Sequence, residues 1–143
     1  MLALLKRIGS SRRADAHVLG AYRVRVLHAA EQVRRACEAW DGLRQIEPDN
    51  ARLANTAAVN RWELVRLLRQ LERLHVPGML VRLHADLSDA LGDAARAWQL
   101  LANGYRSHKS EAVCDGQALL VEAAAAVQVI SRELETRSET ASD

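Results

Sequence analysis

Proline placement and the helical repeat together leave this chain very few folds. Pro48, in Gln45-Ile46-Glu47-Pro48-Asp49-Asn50, stops a helix and is followed by two residues suited to capping the next, Asp49 and Asn50. Val76-Pro77-Gly78 makes a second break, because the residue before a proline avoids helical dihedrals. Asn103-Gly104 reads as a third, with Ser107 or Ser110 placed to cap the last helix. Between the breaks, apolar residues recur at alternating spacings of three and four. The first segment carries Leu19, Tyr22, Val26, Ala29, Val33, Ala36 and Trp40, and the second Leu53, Ala57, Asn60, Leu64, Leu67, Leu71 and Leu74. The third carries Leu80, His84, Leu87, Leu91, Ala94, Trp98, Leu101 and Tyr105, and the fourth Val113, Gly116, Leu120, Ala123, Val127, Ile130 and Leu134. Such an alternation keeps one stripe turned toward a partner helix crossing at roughly 20°.

These seams predict four helices, at about 13–44, 50–75, 79–103 and 110–136, within one all-α domain spanning 13–137. Each is roughly 25–32 residues, about 37–48 Å long at 1.5 Å per residue. Short loops make sequential helices antiparallel neighbours, so the expected architecture is an up-down-up-down antiparallel four-helix bundle. Residues 1–12 are expected to form a basic N-terminal arm and 138–143 a disordered polar tail. Composition agrees. There is no Phe, with only three Trp and two Tyr, while Ala, Leu, Arg and Glu are abundant. Strands favour aromatic and β-branched residues; these are helix formers.

The longest runs free of charged residues are nine long, Ala97–Tyr105 and Ala123–Ser131. A spanning helix needs about 20 apolar residues, so no membrane association is expected. Met1–Ile8 lacks the apolar stretch and cleavage site of a secretory signal, and Cys37 and Cys114 form no CxxC pair. The expectation is a cytoplasmic, reduced protein.

Charge divides unevenly along the chain. Residues 1–75 hold 14 basic against 8 acidic residues, and residues 76–143 hold 6 against 10. All but Lys6 and Lys109 of the basic residues are arginine, which suits phosphate recognition through its planar fork. The sharpest cluster, Lys6-Arg7…Arg12-Arg13, has no interleaved aromatic residues and is too weak a signal to make nucleic acid the expected partner.

Motifs for chemistry are sparse. Glu72-Arg73-Leu74-His75 resembles one half of the Glu-x-x-His pattern of ferritin-like di-iron bundles, but no second copy exists, and His28…Glu31 and His108…Glu111 run in reverse order. His84 with Asp89 resembles one spacing of hemerythrin-like proteins, without the further histidines those proteins need. Arg12…His17, Arg23…His28 and Arg69…His75 resemble the Arg-x(4–6)-His signature of HEPN ribonucleases. With five histidines among so many arginines, about two such pairs arise by chance. Neither GxGxxG, GxxxxGK[ST], HExxH nor GxSxG occurs. Asp86, Asp89 and Asp93 read as a solvated stripe, and Cys37 and Cys114 as small hydrophobes. His84 and Asn60 are the polar interruptions of the seams; both are expected to be structural, with Asn60 a candidate hydrogen-bond partner for His84. No catalytic, cofactor-binding or metal-ligating residue is therefore expected.

The fourth segment is apolar beyond its seam. Only Glu122 is charged between Ala118 and Val127, and Leu119, Val121 and Val129 lie off the stripe. The expected function is that of a non-catalytic helical-bundle protein acting by self-association through helix four or by binding another protein. The alternatives are a ligand- or metal-binding bundle using His84, Asn60, Glu72 and His75, and nucleic-acid contact through the Arg-rich first half.

Overall fold

The computed structural model describes the backbone of residues 2–142 and the side chains of residues 16–137. The fold is all-α. Helix α1 spans Leu2–Ile46, α2 Asn50–Glu72, α3 Val81–Arg106 and α4 Ser110–Ser142, and a single 3-10 turn, Gly78–Leu80, leads into α3. Their contacts are those of a helical bundle around one core.

The seams read from the sequence line that core. Every seam residue is buried or half-buried, and none is exposed. Val26, Ala57, Leu91, Ala94, Leu101, Val127 and Leu134 are fully enclosed. Helix α3 packs closest to its neighbours α2 and α4, and α1 approaches them less closely. Side-chain size explains the difference. Small residues line the contacts of α3 and α4, whereas α1 turns Tyr22 and Trp40 inward. The Trp40 ring meets Trp98 edge-on at 5.3 Å and Tyr105 at 5.8 Å between centroids, and its indole N–H donates to Gln117 Oε1 at 3.0 Å. Buried indoles need such a partner.

Two glycines permit the close approach of α3 to α4. A Cβ on Gly104 would lie 2.8 Å from Val113 Cγ2 and 2.9 Å from its backbone N. A Cβ on Gly116 would lie 3.0 Å from Leu101 Cγ and 3.1 Å from the Ala97 carbonyl.

The boundaries differ instructively from expectation. Asp49 caps α2 through Ala51 N, as anticipated. Helix α2 stops at Glu72, three residues early, because Arg73 N–H turns back to Gln70 O and the chain must extend into Pro77. Helix α3 passes straight through Asn103-Gly104 and ends at Arg106. Gly104 serves the approach of α4, and the reversal falls to His108, whose φ of 53° is left-handed. Lys109 N–H bonds Gly104 O at 2.8 Å across that residue, closing a Schellman-type end on a non-glycine. His108 is steadied from the neighbouring helix start, where Asn50 Nδ2 donates to its Nδ1 at 2.9 Å. Helix α1 includes the backbone of residues 2–12, expected from the sequence to be an arm, and α4 continues to Ser142, through most of the expected tail. Neither stretch contains proline, so nothing in the backbone forbids the extension. The side chains of Lys6, Arg7, Arg12 and Arg13 lie outside the described residues.

Candidate functional site

The polar groups singled out in the sequence do not converge. His84 reaches half-buried from α3 to Tyr22 of α1, and the Tyr22 hydroxyl and His84 Nδ1 share a hydrogen bond of 2.9 Å, with the rings 5.6 Å apart. Burial lowers the His84 pKa against a smaller opposing pull from Glu72, which favours the neutral imidazole. Burial also pushes the Tyr22 phenol up to about 12. Asn60, the candidate partner from the sequence, does not bond His84 and instead lines the cleft between α1 and α2. Its spacing kept it on the seam, but the seam residue opposite His84 is Tyr22.

Glu72 and His75 separate. The helix ends at Glu72, so His75 sits in extended chain and the two no longer share a helical face. Among the described residues no three of His, Cys, Asp and Glu come together in a way that could hold a metal ion. Cys37 is half-buried and its thiol is pushed up to about 11 by burial, whereas Cys114 is exposed; both are free thiols. Asp93 pairs with Arg96, and Asp86 and Asp89 face solvent.

Two surfaces remain. The first is the outer face of α4. Cys114, Ala118, Val121, Ala125 and Val129 are all exposed and follow one another at spacings of four, three, four and four. Val121 and Val129 are each 61% exposed. Glu111 precedes this stripe and Arg132 follows it, both exposed. Over Ser110–Arg137 the helix is apolar enough, by length and composition, to cross a membrane, although Asp115 and Glu122 interrupt its apolar middle. Counting charge-free runs missed this, because the Ala and Val content carries mean hydropathy past isolated charges.

The second surface was not legible in the sequence. Between α1 and α2 the backbones diverge and leave a cleft of ≈ 650 Å³ lined by His28, Gln32, Asn60, Glu63, Arg66 and Gln70, with Trp62 at its edge. Trp62 is 62% exposed, with the Arg66 guanidinium 5.8 Å from its ring centroid. The sequence signal lay in the spacing Trp62-Arg66-Arg69-Arg73, one helical stripe, but a tryptophan beside a seam suggests core filling. No protein-family model, curated protein or solved structure matches the chain.

Proposed function

We propose that this protein is a non-catalytic helical bundle, with its helices running up-down-up-down, that acts by pairing with a second copy of itself through the outer face of α4. The helix order is supported by paired contacts. Positions 30 and 40 of α1 meet 128 and 117 of α4, in descending order, while positions 22 and 40 meet 84 and 98 of α3, in ascending order. Two free thiols suit a reducing, cytoplasmic setting.

The observation carrying the functional reading is the exposed stripe Cys114–Val129 bracketed by Glu111 and Arg132. An apolar stripe on the water side of a helix, bordered here by the exposed Glu122 and Asp115, is unfavourable unless covered. The stripe is self-complementary when reversed. Pairing two copies antiparallel about a two-fold axis near Val121 sets Cys114 beside Val129, Ala118 beside Ala125, and Glu111 beside Arg132 of the opposite copy. Alanine at the facing positions lets two backbones come close. From Cys114 to Val129 the stripe is about 22 Å long at 1.5 Å per residue. One helix width of cover falls short of the ~800 Å² per partner of standard interfaces, so the dissociation constant should be on the order of micromolar.

Sedimentation velocity across 1–200 μM (about two decades around that constant) tests this. A concentration-dependent dimer is expected, weakened by Glu111→Arg alone and by Arg132→Glu alone, and restored when both changes are made in one chain. A monomer throughout, or a dimer indifferent to both charges, overturns the reading.

A further inference from the structure

Six of the described arginines hold a carboxylate and nine make no ion pair; of the nine, Arg23, Arg82, Arg106 and Arg132 are scattered, and the other five gather around Trp62. Arg34 and Arg35 hold Glu31, and Arg34 also holds Glu38; Arg44 holds Asp41, Arg52 holds Glu47, Arg96 holds Asp93 and Arg137 holds Glu133. Around Trp62 only Arg35, on the α1 wall of the cleft, is so held. Arg25, Arg61, Arg66, Arg69 and Arg73 make no ion pair, among the described residues, and the carboxylates close by are Glu63 and Glu72. Concentrating unneutralised guanidiniums on one face raises a positive potential that a neighbouring acidic side chain would ordinarily quench.

Their placement is ordered. Trp62, Arg66, Arg69 and Arg73 follow at spacings of four, three and four, so they form one stripe along the outside of α2. Arg25 faces Arg73 across the end of the α1–α2 cleft, where His28 and Gln70 also present polar groups. The indole of Trp62 projects into this basic surface with most of its area open to water. The other two tryptophans are buried in the core, at 1% and 2% exposure.

We propose that the Trp62 face of α2 and the cleft beside it bind single-stranded nucleic acid. The arginines take phosphates, for which a planar guanidinium offers two parallel N–H donors. Trp62 takes an unstacked base, since every base has a π-face and stacking needs no particular sequence. A duplex keeps its bases stacked and leaves Trp62 without a partner. An acidic peptide satisfies the charge but has no flat ring to offer. Binding is weak in sequence preference and strong in salt dependence. This site shares no residue with the α4 stripe, so it stands or falls independently of self-association.

Fluorescence anisotropy of labelled dT12 with the full chain at several salt concentrations tests the assignment. Expected is a linear fall of log affinity with log salt, by about 0.7 for each phosphate neutralised. Arg69→Gln and Arg73→Gln should each weaken binding and reduce that slope by about 0.7. Trp62→Leu should weaken binding about 5- to 150-fold with little change in slope. Arg96→Gln, on another face, should change nothing. All of these side chains are exposed, so folding is not at stake, and circular dichroism of each variant checks it. No binding of dT12 overturns the proposal, as does binding indifferent to Trp62. Equal or tighter binding of poly-glutamate or of a 12-base-pair duplex also overturns it, assigning the surface to an acidic protein or to double-stranded nucleic acid.

Discussion

One substitution should have opposite signs at different positions of this bundle. Glycine inside a helix costs about 0.5–1 kcal/mol relative to alanine, through backbone entropy and a missing side chain. Gly92, within α3, has open space where a Cβ would stand, with no atom within 4 Å, so Gly92→Ala should gain that amount. Gly104 and Gly116 face the α3–α4 contact. At Gly104 the obstacle includes the Val113 backbone N at 2.9 Å, which cannot rotate away, so the helices must part by about 0.5 Å to reach ordinary contact. At Gly116 three atoms of α3 crowd the new methyl at 3.0–3.1 Å, one of them a backbone carbonyl. Overpacking a tight core costs about 1–3 kcal/mol. Set against the helix gain, either substitution should destabilise by about 0.5–2 kcal/mol. Urea denaturation gives the values directly. In a chain of this size 1 kcal/mol moves the melting temperature by roughly 2–4 °C, so the Gly92 and Gly104 variants should separate by several degrees. If Gly104→Ala proves as stable as Gly92→Ala, the close approach of α3 and α4 is not what those glycines serve.

The neutral, half-buried His84 makes stability sensitive to mild acid. Its folded pKa lies below the ordinary 6.5, so between those two values the unfolded chain binds more protons and stability falls as pH drops below about 6.5. His84→Gln, which keeps a hydrogen-bond partner for Tyr22, should flatten urea midpoints between pH 6.5 and 5; an unchanged slope would refute the assignment. The two thiols should differ sharply toward Ellman's reagent at pH 8. Cys114 is exposed and should react at once, whereas Cys37, pushed up to about 11, should react only on denaturation. Cys114 should also slow as protein concentration passes the dimer dissociation constant, since it lies on the pairing stripe. Two fast equivalents would contradict the burial of Cys37.

Periodicity made the core legible because the seam of each helix faces one interior, so Leu91, Val127 and Leu134 could be placed from spacing alone. Partners across the core were not legible. His84 found Tyr22 rather than Asn60 because helix rotation and stagger depend on side-chain volumes, here the large ring of Tyr22. Asn103-Gly104 misled for a related reason: glycine serves both helix ends and close packing, and only the neighbour Val113 distinguishes them. Trp62 lay beside a seam, where a small rotation of the helix decides between core and water. The outer stripe of α4 was visible as surplus apolar residues, but its bracketing by Glu111 and Arg132 acquires meaning only once both are known to face outward.

The placement of α1 also bears on how the chain is born. Its inward residues bond to partners far downstream: Tyr22 to His84, Trp40 to Gln117, and Ala30 O to Gln128, separations of 62, 77 and 98 residues. At a synthesis rate of about 5–20 residues per second, the first helix leaves the ribosome roughly 3–20 s before those partners exist. Helices α2, α3 and α4, by contrast, meet their neighbours across loops of a few residues and can close as each is completed. During that interval Tyr22 and Trp40 of this 45-residue helix lack their bonding partners on α3 and α4, and only α2 can lie beside it. The nascent chain is therefore most vulnerable to aggregation, and most in need of a chaperone, through α1 until α3 and α4 follow it.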